Sequence, residues 1–108
     1  MGLSKTDNYT AEQNELADTA KLLSSPARIA ILEHLAQADC CVCKDLTELT
    51  QLRQPTVSKH LADLKAAGLV LSSANGTSRE YCINPLAWAR VRTLLLGLLD
   101  RFKLPGCC

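Results

Sequence analysis

This 108-residue chain has no run of 18 apolar residues, so it offers no helix that could span a bilayer. It has few aromatics (4%), no phosphate-binding glycine loop and no low-complexity tract that would mark a linker. The opening segment, Met1 to Asn8, is polar and lacks the apolar stretch of a secretory signal, which leads to the expectation of a cytoplasmic protein. Catalysis is also poorly provided for. The length suits one domain, 1–108, with short tails at 1–9 and 104–108, rather than a walled active-site cleft. The cysteine-rich segment has acidic neighbours but no nearby histidine to serve as a base. A small regulatory module fits better than an enzyme.

Charge is balanced overall at +1 but unevenly placed. Residues 1–50 carry four Lys/Arg against eight Asp/Glu, and residues 51–108 carry eight against three. Positive charge in the second half is where phosphates could be met. Six cysteines fall as Cys40, Cys41 and Cys43, then Cys82 alone, then Cys107 and Cys108. With 47% hydrophobic content, enough to build a core without staples, reduced thiols are expected, and their clustering points to soft-metal or redox chemistry. Cys82, beside Tyr81 in an alternating segment, is expected to be a small buried hydrophobe.

The punctuation of the chain predicts five helices and a hairpin. Thr10-Ala-Glu-Gln13 has the form of a capping box and opens a helix at about 11–23. Ser25-Pro26 opens a second at about 26–38, with Ile29, Leu32, Leu35 and Ala36 expected in the core. A short third helix is expected from Asp45 to near Thr50, a turn at Gln51-Leu52-Arg53, and a fourth helix at about 55–67 with Val57, Leu61 and Leu64 inward. Leu69–Leu71 and Tyr81–Ile83 read as strands joined through Asn75-Gly76, and Asn84-Pro85 precedes a last helix at about 86–103. The fold class is therefore mainly α with a small β-hairpin, a winged helix-turn-helix. The last helix is more apolar than one small domain can bury, which predicts a homodimer through the first and last helices.

Two short helices around a tight turn present side chains to a DNA groove, the second docking by its N-terminal residues. Here Gln54 or Lys59 could reach base edges, and Thr56 and Ser58 could bond phosphates. Arg53 at the turn and Arg79 on the wing are placed to hold the backbone or minor groove. His60 is read as a phosphate or packing contact rather than a metal ligand, and His34 as structural or solvated.

The string Gln54-Pro-Thr-Val-Ser-Lys-His-Leu61, followed by Leu64-Lys-Ala-Ala-Gly-Leu-Val70, together with Leu23 to Leu32, resembles the ArsR/SmtB family of winged-helix transcriptional repressors over roughly residues 14–100. The resemblance implies a homodimer on a palindromic DNA operator, released when an inducer binds. Zinc- and nickel-responsive members carry His and acidic ligands on the last helix; here 86–103 contain no histidine and only Asp100, so such a site is not expected. Arsenic-responsive members carry Cys-Val-Cys and a further cysteine three residues on. This chain has Cys41-Val42-Cys43 with Leu46 at the third place. As(III) and Sb(III) are thiophilic and suit three sulfurs, so they are the expected inducers, with other soft metals possible. Cys41 and Cys43 are the expected primary ligands, and Cys40, Cys107 and Cys108 rivals for the third. An alternative effector is redox or reactive sulfur, through a bond from Cys41 or Cys43 to Cys107 or Cys108.

Overall fold

The computed structural model describes residues 8–38, 40–76 and 78–102. Helix α1 (Ala11–Leu22) starts in a full capping box: the Gln13 backbone N–H donates to Thr10 Oγ1 at 3.0 Å, and the Thr10 N–H donates to Gln13 Oε1 at 2.9 Å. Helix α2 (Pro26–Ala38) starts on Ser25, whose Oγ accepts from the Arg28 N–H at 3.3 Å. Strand β1 (Cys40–Val42) then runs without a break into α3 (Cys43–Thr50), and Gln51 turns the chain with a left-handed φ of 59°. Helix α4 (Gln54–Ala66), strands β2 (Val70–Asn75) and β3 (Ser78–Ile83), and α5 (Pro85–Leu99) complete the order. Among the described residues no helix is long and apolar enough to cross a membrane.

The core is built where α2, α3 and α4 meet the sheet. Ile31, Leu35, Leu46, Val57, Leu61, Leu64 and Val70 are fully buried. The inward face expected for α4 is the observed one, and the turn falls where proline forbids α3 to continue. Gly68 carries a φ of 82°, so the chain can leave α4 and enter β2 at once. Asn84 locks the far end of the wing: its Nδ2 donates to the Gly68 carbonyl at 2.8 Å and its N–H to the Leu69 carbonyl at 3.1 Å.

Four expectations need correction. The wing is part of a three-stranded antiparallel sheet in the order β1-β3-β2, so the two-stranded hairpin was incomplete. Its two arms are also longer than expected, because Ser72–Asn75 pairs in register with Ser78–Tyr81. Helix α3 begins at Cys43, two residues early, since the extended Val42 serves as its N-cap position without any side-chain cap. On α2 it is Ile31, with Leu32 and Leu35, that enters the core, whereas Ile29 and Ala36 are exposed. Those two side chains border an apolar surface hollow of about 440 Å³ beside Trp88, since α2 turns its Ile31 edge toward the sheet.

The sheet also overturns the expectation for Cys82. Cys40 and Cys82 lie directly opposite in the β1–β3 register, 4.5 Å apart at Cα, and are joined as a disulfide. Neither reduced thiols throughout nor an inert Cys82 survives this pairing. A thiol already bonded to sulfur also cannot act as a third thiolate, so in this form Cys40 leaves the contest for that place.

Candidate nucleic-acid interface and adjoining thiols

Helix α4 divides its side chains sharply. Val57, Leu61 and Leu64 anchor it to the core, and Gln54, Thr56, Ser58 and Lys59 lie exposed along its leading turns, preceded by exposed Arg53 at the N-cap position. Their exposed polar groups and backbone N–H groups at the helix start are the kind of surface that phosphate and base edges accept. Lys59 Nζ reaches Asp63 Oδ1 at 3.3 Å, but its side chain is 74% exposed, so this i,i+4 pair is a weak tether. On the wing, Arg79 is exposed and donates from Nη1 to Ser72 Oγ at 3.3 Å, a contact that splints the hairpin.

His60 behaves differently from its neighbours. Its Nδ1 accepts from Arg28 Nε at 3.0 Å, while Arg28 Nη2 donates to Asp63 Oδ2 at 2.8 Å and Nη1 to the Leu22 carbonyl at 3.3 Å. One guanidinium thus binds α4 to α2 and to the end of α1. Burial first, and then the Arg28 cation, holds the imidazole below its usual pKa, against the pull of Asp63. Of the two roles considered for His60, the packing one is present in this geometry, through Nδ1. Arg28 and Asp63 escaped the sequence reading because their partners are 32 and 35 residues apart in the chain.

The thiols adjoin this surface but do not form one cluster. In β1, successive residues face opposite sides of the sheet. Cys41 points into the core, opposite Tyr81, and burial followed by the nearby Asp45 carboxylate pushes its thiol pKa up. Cys43, at the first turn of α3, lies half-buried with Sγ 3.7 Å from Ser58 Oγ of α4. Cys40 faces the outer side with Cys82. Among the described residues no group of three or more His, Cys, Asp or Glu side chains converges as a metal site. Cys107 and Cys108 lie outside the described residues.

Comparisons with known proteins place the fold in a family. Residues 25–72 match the family model described as "Bacterial regulatory protein, arsR family". An arsenical resistance operon repressor of Staphylococcus xylosus is 40% identical over 70 residues, which span 65% of this chain and 66% of that protein. The chain thus spans just under two thirds of that relative's length. The HTH-type transcriptional regulator Rv2034 of Mycobacterium tuberculosis is 39% identical over 80 residues, 74% of this chain and 70% of the relative. In structure, a homodimeric winged helix-turn-helix DNA-binding domain from Mycobacterium bovis, described as a possible ArsR-family regulator, superimposes with a TM-score of 0.67 at 28% identity. The match covers 96% of this chain and 94% of that one.

Proposed function

Starting from the fact that this chain belongs to the ArsR family of bacterial regulatory proteins, we propose that it is an operator-bound repressor released when a thiophilic metalloid, As(III) or Sb(III), engages its cysteines. A winged helix-turn-helix carries the DNA-binding part, and membership in this family makes the chain a transcription regulator rather than an enzyme. The metalloid part is supported by the name of the Staphylococcus xylosus relative and by sulfur chemistry.

One observation carries the coupling. Cys43 sits on the first turn of α3 with its sulfur against Ser58, a residue of the exposed face of α4. A bulky thiolate complex formed there would displace Ser58 and tilt α4 against α3, whereas the two recognition helices of a dimer must match half-sites spaced by the DNA helical repeat. A coupling of about 1–3 kcal/mol lowers operator affinity roughly five- to 150-fold, enough to free a promoter. In this reading Gln54 and Lys59 read bases, Arg53, Thr56, Ser58 and Arg79 hold phosphates, and Cys41 and Cys43 respond to inducer with help from Cys107 or Cys108. Two copies pair through α1 and α5, and the protein works in the cytoplasm where its operator is. That pairing is supported by the row of exposed Leu96, Leu98, Leu99 and Phe102, and by the homodimeric Mycobacterium bovis neighbour.

The Cys40–Cys82 bond favours a second reading, in which thiol–disulfide or reactive-sulfur chemistry is the signal. Fluorescence anisotropy on a labelled palindromic promoter fragment separates the two. Arsenite added to the reduced complex is expected to lower anisotropy, and Cys43→Ser to blunt the response. Release driven only by an oxidant or persulfide, with arsenite inert, would sink the metalloid reading.

A further inference from the structure

We propose that Arg28 is a positioning residue for DNA binding: by donating to His60 Nδ1 it fixes the imidazole as the tautomer whose Nε2–H donates to a backbone phosphate beside the recognition helix. The inference rests on the DNA-binding part of the reading above and is independent of the inducer. Arg28 carries only donors and does not lose its proton, so the 3.0 Å contact from its Nε requires a lone pair on Nδ1. A neutral ring has one proton, which is then on Nε2. Two further bonds, from Nη2 to Asp63 Oδ2 and from Nη1 to the Leu22 carbonyl, pin the guanidinium, whose side chain is only 18% exposed. The donor is thus held where the ring meets it.

The second nitrogen stays open. Among the described residues the one buried side-chain nitrogen or oxygen without a partner is Trp88 Nε1, so His60 Nε2, which no described residue bonds, reaches solvent. The ring directs its two nitrogens away from each other, and with Nδ1 turned to α2, Nε2 faces away from that helix. Thr56 lies one turn earlier on the same flank of α4 and is exposed. A DNA strand that meets the Thr56 hydroxyl therefore runs along the row that His60 continues.

The surroundings keep this donor neutral. Burial and the cations of Arg28 and Lys59 oppose a positive ring, and Asp63 alone favours one. A neutral N–H that bonds a phosphate oxygen sets the register of the helix on the duplex but displaces no counterion of its own. This separates His60 from an arginine or lysine contact, in which affinity and salt dependence change together.

Two labelled duplexes test the contact on the full chain: a palindromic promoter fragment, and a random sequence at low salt. His60→Asn sets an amide oxygen near the place of Nδ1, so Arg28 keeps an acceptor, and leaves nothing at the place of Nε2. Its melting temperature should stay close to that of the natural protein, while affinity for both duplexes falls about tenfold with the salt slope unchanged. Long-range proton–nitrogen NMR at neutral pH should show His60 as the Nε2–H tautomer alone, its proton exchanging more slowly once DNA is added. Arg28→Met, which has no donor, should give a mixture of tautomers; if it does not fold, the natural chain and His60→Asn still decide the contact. Unchanged affinity in His60→Asn, an Nε2–H that exchanges as fast in the complex as in the free protein, or a flattened salt slope overturns the neutral phosphate contact. A single tautomer in folded Arg28→Met overturns the role of Arg28. A natural chain that binds neither duplex overturns instead the DNA-binding reading on which the inference rests.

Discussion

His60 serves as a joint between the recognition helix and α2. Its neutral ring accepts from Arg28 Nε, and a protonated ring could not. Since burial lowers its folded pKa, its contribution to stability is complete above the unfolded value of about 6.5 and is lost as pH falls through the lowered folded value. His60→Gln keeps an acceptor without a titrating ring. Its melting temperature should therefore fall less than that of the natural protein between about pH 7 and about pH 5.5; equal falls would remove His60 from the acid response. The two free cysteines of the β1–α3 junction should also separate by experiment. Cys41→Ser places a hydroxyl in the core and should cost about 1–3 kcal/mol in denaturant unfolding, whereas half-buried Cys43→Ser should cost little. Equal costs would mean that Cys41 does not face the core.

The recognition helix and its exit turn carry the next predictions. Gly68 holds a φ of 82°, and a Cβ added there would meet nothing within 4 Å, so Gly68→Ala tests backbone strain without a clash. It should lose roughly 1–2 kcal/mol, read from denaturant midpoints, and an unchanged midpoint would deny the left-handed turn. At the N-cap position of α4, Arg53→Ala should weaken operator binding uniformly across sequences and flatten the slope of log affinity against log salt by about 0.9 per helix. Gln54→Ala should instead relax preference at one base pair by about 1–3 kcal/mol, visible in a panel of operator variants. An Arg53 variant with an unaltered salt slope would show that its guanidinium faces solvent in the complex. The elements themselves were well marked in sequence, because a capping box, Ser-Pro, Pro55 and Asn84-Pro85 each fix a boundary through local backbone chemistry. Strand β1 was not, since three residues are too few to display a period of two.

For the molecule as a whole, the unmet apolar surface lies on α5 and its exit. Arg90 clamps α5 to α1 through two hydrogen bonds to Glu15, at 2.9 and 2.8 Å, so these helices form one unit with a hollow of about 400 Å³ between them lined by Leu16, Leu94 and Leu98. Leu98→Asp with Leu99→Asp should convert a dimer to monomers in sedimentation velocity and abolish tight binding to a palindrome while leaving the helical signal intact. A sedimentation coefficient that does not change would place the pairing surface elsewhere.

Local chemistry was enough to announce a helix-turn-helix with a wing, the inward face of α4, and the exposed polar set from Arg53 to Lys59, because caps, prolines and helical periodicity act over a few residues. Pairings across the chain were beyond its reach. Cys40, Cys41 and Cys43 look like one cluster on paper, yet a strand sends neighbours to opposite faces and the next helix takes the third away. Cys82 meets Cys40 across 42 residues, and Arg28 gathers His60 and Asp63 from another helix, since sheet register and helix packing, which no local signal encodes, bring those atoms together.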